Sequence, residues 1–358
     1  MRKLSFTLAL LLGLSVASHT GLAQGVASAK TLVKEGIALY DQGNYQEAIR
    51  RYEQAIKLEP GNYTARYELA MTYNTLGQHK ESAALCKELL KDDPEPSAAV
   101  YGTYGNALDG LKKPKDAVKI YQEGLKRYPD DGSLYFNLGV TQASSLEQPA
   151  EAMASMQQAV RCRPEHTNSL NAVSLLTLQL DNRVPALLEM LRLLQLEPTG
   201  KRAEATIARF DNALGLGVKK TGDKAVTINL SSNVVGNVSK ENIPDNFAGP
   251  DMLLTMSGAL DHSKENSKKT APVLFADKLA LLVSVLEENH PEKQTGFAWQ
   301  YFVPYFVEMK KQGHLPALAY SVQASRAEAT PEIREWLAAH AAEVQALNKW
   351  SAAYIWPK

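Results

Sequence analysis

Only two cysteines, Cys86 and Cys162, occur in 358 residues. No disulfide framework can organise the chain, and cysteine use leaves the redox compartment open. Neither sign of charge is in excess, with 39 Lys plus Arg against 39 Asp plus Glu, and both halves are balanced. A basic surface that grips a phosphate backbone is therefore not expected, and no nucleic-acid partner is predicted. Past the N-terminus no apolar run reaches the roughly eighteen residues of a membrane span. Several catalytic motifs are also missing. The histidines beyond the N-terminus are His79, His166, His262, His290, His314 and His340. No two of them share a helix face with a carboxylate at metal-ligand spacing. There is no His-Glu-x-x-His, no nucleophile elbow and no phosphate-cradling glycine loop. No catalytic, cofactor-binding or metal-binding residue is predicted. Glu287, Glu288, His290 and Glu292 come nearest to a metal cluster, but they stand at a helix end before Pro291, where solvated charge is ordinary.

What is present begins with an address. Arg2 and Lys3 precede the apolar run Leu8 to Val16, and small and polar residues follow. This is the pattern of a secretory signal, expected to occupy residues 1–23 and to be cleaved after Ala23. The protein is then expected to be secreted or periplasmic, with cell-envelope association left open. The 45% of hydrophobic residues suffice for ordinary cores.

Four columns recur in step between about residues 29 and 200. A small residue stands within an apolar helix at Gly36, Ala70, Gly105, Gly139 and Ser174. A second small column follows at Ala48, Ser82, Ala117, Ala152 and Ala186, with a bulky residue four places on at Tyr52, Cys86, Tyr121, Met156 and Met190. Each copy closes on a proline, at Pro60, Pro94, Pro129, Pro164 and Pro198, spaced 34, 35, 35 and 34 apart. A mid-helix glycine costs up to about 1 kcal/mol relative to alanine. Its recurrence implies a close helix approach that tolerates no larger side chain. The bulky residue lies one turn beyond the second small residue on the same face. The proline ends the second helix. The fourth copy needs one extra residue in its inter-helix turn near Leu146, and the fifth is the most degenerate, with Pro185 just before Ala186.

These residues resemble the tetratricopeptide repeat family, whose signature has small residues at its eighth and twentieth positions, several aromatics and a late proline. The first copy matches best, through Gly36, Tyr40, Gly43, Tyr45, Ala48, Tyr52, Ala55 and Pro60. The resemblance implies an all-α chain. About five antiparallel helix pairs (29–62, 63–97, 98–131, 132–166 and 167–200) would stack into a right-handed α-solenoid. It also implies a concave face lined by the first helix of each pair. The matching positions are Val33, Ile37, Tyr40, Tyr67, Met71, Asn74, Asn106, Asp109, Phe136, Asn137, Val140, Asn171, Leu175 and Leu178. Apolar side chains there would bury a ligand, and asparagines can both donate to and accept from a peptide backbone. Some members of the family clamp a C-terminal carboxylate on this face. Here Lys30 and Lys34 remain, but Tyr67, Glu68, Thr103 and Asn106 stand where further cations would be needed. Cys86 and Cys162 fall on second helices two repeats apart, a distance of about 20 Å at ordinary helix spacing. A disulfide needs Cα atoms within about 7 Å, so two free thiols are predicted, Cys86 as buried filler.

Past Gly200 the period is lost, and residues 201–358 read as a mainly helical C-terminal domain. Ala203 to Leu214 is predicted to be a helix that caps the array. A short strand is expected at Val226–Leu230 and a long loop over 231–250. Helices are expected over 252–260, around Phe275–Leu286, around Trp299–Met309 with Pro304 as a kink or junction, at 317–324, and from Pro331 onward with Thr330 as cap. The charged stretch 262–270 reads as a connection. The aromatics between Phe297 and Phe306 have helical spacing and read as core.

The function expected is a non-catalytic adaptor or scaffold that binds a protein or an extended peptide, with no cofactor. The alternatives are a hydrolase or metal-dependent enzyme in the C-terminal half, involving His290, His314 or Trp299, and a structural protein of the cell envelope.

Overall fold

The computed structural model describes residues 28–357 apart from 222–225, 238–242, 261–262, 264 and 290–294. The expected leader with its Ala23 cleavage point lies outside them, as do His262, His290 and Glu292. The chain divides into two compact units, one up to Thr72 and one from Tyr73 onward.

The first unit holds α1 (Ala29–Asp41), α2 (Tyr45–Leu58) and most of α3 (Tyr63–Thr75). The Ser28 hydroxyl caps α1 by accepting from the Thr31 N–H at 3.2 Å. Ala48, Ile49, Tyr52 and Ala55 form the buried stripe of α2. The reason for Gly36 is direct. A Cβ there would lie 2.4 Å from Cε1 of Tyr52, so the phenol ring lies against bare backbone.

In the second unit α4 (His79–Asp92), α5 (Ala98–Gly110), α6 (Pro114–Arg127), α7 (Gly132–Ser144), α8 (Pro149–Cys162), α9 (Thr167–Gln179) and α10 (Arg183–Leu196) follow, each packed on the next. The glycine rule repeats. A Cβ on Gly105 would meet Tyr121 Cε1 at 2.2 Å, and one on Gly139 would meet Met156 Cε at 2.9 Å. The bulky residue therefore fills the space over the glycine itself. Ser174 takes the place with 1% exposure and turns its hydroxyl onto its own helix, donating to Asn171 O at 2.9 Å.

The turn within the pair is shared by four of the five copies. Three residues link α5 to α6, Leu111 to Lys113, and the last donates its N–H to Leu108 O at 2.9 Å. The middle residue is left-handed, with φ of 61° at Lys112, 57° at Asp181 and 78° at Gly43. The fourth pair is joined by four residues, Ser145 to Gln148, as the register requires. The same three-residue turn reappears at Gln312–His314, with Gly313 at φ 73° and His314 N–H donating to Met309 O at 3.0 Å. It joins α15 (Phe297–Lys311) to α16 (Leu315–Ser321), far outside the periodic region.

α11 (Lys201–Leu214) packs on α10 through Ala203, Ile207 and Phe210, as a capping helix should. Next comes an antiparallel hairpin, β1 (Val218–Lys220) with β2 (Val226–Ile228), in the register Val218 to Ile228. The expected loop over 231–250 is corrected. It contains α12 (Ser232–Asn237) and the start of α13 (Ala248–Ala259), whose Pro250 stands in the first turn, where no N–H is needed. α14 (Ala271–Glu288) and α15 carry the apolar stripes, and α15 continues through Pro304. The final helix is two helices, α17 (Pro331–Ala339) and α18 (Ala341–Ala353). Thr330 stands at the N-cap position of α17, but its hydroxyl makes no capping bond.

One hydrophobic core runs from Met156 through α9, α10 and α11 into α13 to α16 and α18. Every residue of α10 from Arg183 to Gln195 is buried. Trp299, Tyr301, Phe302, Tyr305 and Phe306 are at most 1% exposed, so the aromatic run is core. Both cysteines are free, and burial pushes the Cys86 thiol up to about 12.

Candidate ligand-binding face of the first helices

The sites predicted for ligand contact lie in both units. In the first, Val33 is a correction. It is 6% exposed and belongs to the buried cluster with Leu32, Ala55 and Ala65. Ile37 is half-buried against the same cluster. Tyr40 sets its ring edge-on to Tyr45 at 5.1 Å. Tyr67 and Met71 are half-buried.

In the second unit the asparagines are already partly engaged. Asn74 Oδ1 lies 2.8 Å from His79 Nδ1. Asn106 Oδ1 accepts from the Tyr121 hydroxyl at 2.7 Å, and Asn171 Oδ1 accepts from Arg209 Nη2 at 3.3 Å. Asp109 accepts from the Thr141 hydroxyl at 3.1 Å, with its other oxygen buried and unpartnered. Asn106 and Asn171 therefore keep their amide N–H groups for a ligand's carbonyl oxygens, with one acceptor site of each Oδ1 already taken. Phe136 lies edge-on to the His166 ring at 5.3 Å and, with Leu178, packs against the main core. Asn137 is half-buried. Val140 and Leu175 are open, at 37% and 41% exposure. They occupy one column of the repeat, the position after the small residue, on α7 and α9.

The engagement of Asn106 follows from the tyrosine in the bulky column. A tyrosine ring laid over the glycine delivers its hydroxyl to the next residue of the first helix. In the third copy that residue is Asn106 and the bond forms. In the first copy the bulky residue is again tyrosine but the position is Ile37, and the Tyr52 hydroxyl is buried without a partner. Tyr121→Phe is accordingly expected to lower unfolding stability by about 1 kcal/mol, whereas Tyr52→Phe should be neutral or stabilising. Urea titration of the two variants measures both. Equal losses would show that Tyr52 has an acceptor after all.

The C-terminal candidates have structural occupations. Trp299 stacks on Phe247 with ring centroids 4.3 Å apart and donates Nε1–H to Asn246 O at 3.1 Å. His314 lies 5.5 Å from the Trp350 ring. Glu287 accepts from Lys310 Nζ at 2.7 Å, which draws its carboxyl below the ordinary range. Among the described residues no three His, Cys, Asp or Glu side chains gather as a metal site, and no helix is long and apolar enough to cross a membrane.

Family comparison places repeats over the first four copies of the columns. Models of the tetratricopeptide repeat match residues 33–96, 76–142 and 132–166. The chain is similar to an Hsp70-Hsp90 organising protein of Plasmodium falciparum, 28% identical over 140 residues, or 38% of this chain and 54% of that protein. It is also similar to a small glutamine-rich tetratricopeptide repeat-containing protein of Mycosarcoma maydis, 30% identical over 132 residues, or 37% of this chain and 36% of the other. The match thus spans about half the length of these curated relatives, or less. A thermophilic TPR protein from Thermus thermophilus aligns with a TM-score of 0.45 and 22% identity, over 52% of this chain and 99% of its own. With the small-residue columns, the shared turn and the family match falling together there, residues 33–166 of this chain are tetratricopeptide repeats.

Proposed function

We propose that this protein is a non-catalytic adaptor outside the cytoplasm that holds a protein or an extended peptide on the first helices of its repeats. The observation that carries the reading is the exposed column Val140 and Leu175. Two apolar side chains on successive first helices stay open to solvent, while the C-terminal helices pack on α10 instead. The free amide of Asn106 lies on the first helix before them and can donate to a ligand carbonyl. Relatives named for organising two chaperones support the adaptor class, without indicating the partner. The charged start and apolar core of residues 2–16 support export.

The test uses the full-length protein as bait in its own cell extract, with Val140→Asp and Leu175→Asp as variants. Both positions are exposed, so the fold should be unaffected. Capture of a defined partner should weaken about tenfold or more in each variant, since a buried unpaired carboxylate replaces an apolar contact. Undiminished capture by the double variant would reject the face. The exported bait should begin at Gln24; a retained Met1 would reject the leader.

A further inference from the structure

A second site lies away from the first helices, in a cavity of about 610 Å³ between the C-terminal end of α10 and α18. Its floor carries an unusual charge. Arg192 is 4% exposed, and among the described residues no carboxylate stands within ion-pair distance of it. Its Nη1 donates to three neutral oxygens, Gln195 Oε1 at 3.0 Å, Tyr305 Oη at 3.1 Å and Ser351 Oγ at 2.8 Å. The guanidinium carbon lies 5.3 Å from the Tyr305 ring and 5.2 Å from that of Trp356. Nε is buried with no acceptor, and among the described residues Nη2 has none either. Gln195 is 9% exposed, and its Nε2 is also buried without an acceptor, because its Oε1 is taken by Arg192 and by the Tyr305 hydroxyl at 2.7 Å.

Three nitrogen donors therefore lack acceptors around a single cavity, and its lining carboxylate, Glu165, acts on the guanidinium without pairing with it. A buried cation without an ion-pair partner is costly. Nε is enclosed, which leaves Nη2 as the guanidinium nitrogen for a ligand oxygen to approach. Tyr354 and Trp356 supply aromatic wall beside it. Glu165 lines the same cavity and lies 3.9 Å from Arg163, so a second negative charge on a ligand would be opposed. A volume of this size is in the range of small-molecule pockets.

We propose that this cavity binds a monocarboxylate with an apolar or aromatic body, its carboxylate paired with the Arg192 guanidinium at Nη2 and its body against Trp356. The site is independent of the repeat face, and either can fail without the other.

The full-length protein is titrated with phenylacetate, N-acetylphenylalanine and N-acetylphenylalaninamide, followed by calorimetry and by tryptophan fluorescence. The two acids should bind and the amide should bind at least about tenfold more weakly. Preference for phenylacetate assigns the site to free small acids, and preference for N-acetylphenylalanine assigns it to peptide C-termini. Arg192→Met should abolish the difference between acid and amide. Because that variant removes a buried hydrogen-bonding group, Glu165→Gln serves as a second probe. It leaves the core untouched and should tighten acid binding several-fold by removing a like charge. Equal binding of acid and amide, no binding of either acid at millimolar concentration, or no gain in Glu165→Gln overturns the proposal.

Discussion

Replacing Arg183 with methionine is expected to cost about 3–5 kcal/mol of folding stability, the usual loss when one partner of a buried ion pair is removed. Arg183, at the start of α10, is 5% exposed. Its Nη1 donates to Leu216 O at 2.9 Å, just past the end of α11, and Nη2 donates to Asp251 O at 2.8 Å and Thr255 Oγ1 at 2.6 Å on α13. It also pairs closely with the Asp251 carboxylate. One side chain thus joins three helices, and it satisfies carbonyls at the C-terminal end of α11, where positive charge is favoured. The pair itself is expected to add little net stability. Burial draws the arginine below its ordinary range and pushes the aspartate above its own, so desolvation outweighs attraction on both sides. The double variant Arg183→Met/Asp251→Leu should therefore recover most of the loss. Chemical denaturation of the three variants decides the matter. Additive losses would mean that the carbonyl contacts, rather than the ion pair, dominate.

Glu189→Gln should make the protein more stable at neutral pH and flatten its pH dependence. Glu189 lies within α10 at 1% exposure, with Oε2 buried and unpartnered. Burial raises its carboxyl well above the ordinary 4.5, and the Asp245 carboxylate adds to this, while a Thr177 hydrogen bond opposes it only in part. A raised folded value means that the group's contribution is complete below the unfolded value. That contribution is lost as pH climbs toward the folded one, because only the unfolded chain can then release the proton. Over that window the wild type should lose about 1.4 kcal/mol per pH unit relative to the glutamine variant. Urea midpoints at pH 5, 6, 7 and 8 give the test. Parallel curves for the two proteins would mean that Glu189 finds a compensating partner.

Why some features were legible in the sequence and others were not has a physical basis. Gly36, Gly105 and Gly139 could be read because a steric demand on the backbone leaves a residue that nothing else can replace. The extra turn residue near Leu146 was visible as a break in register and appears as the four-residue link Ser145–Gln148. Val33 was misplaced because family position gives a helix face but not the depth of the neighbouring side chains. The asparagines were given too much freedom because the hydroxyl that claims Asn106 belongs to Tyr121 on the other helix of the pair. The α15–α16 hairpin escaped because Phe306 and Leu318 fill the two small columns, although Gln312-Gly313-His314 echoes Gln42-Gly43-Asn44. The break between α17 and α18 has no glycine or proline to announce it. There the His340 ring stacks on Trp336 at 4.1 Å, and its Nδ1 lies 2.9 Å from the Trp336 carbonyl oxygen. Strand β1 is three residues long, two of them lysine, and acquires its conformation only by pairing with β2.

The enclosure of α10 on every side has an evolutionary corollary. Repeat proteins ordinarily change their reach by duplicating or losing a module at an end, since each module touches only its neighbours. Here the last pair is welded to the helices that follow by a shared core and by Arg183 and Arg192. A module inserted between α10 and α11 would leave both guanidinium groups and a whole apolar surface facing a stranger. Copy number is thus frozen from that side, and descendants of this chain should vary in the columns along the array far more readily than in its length there.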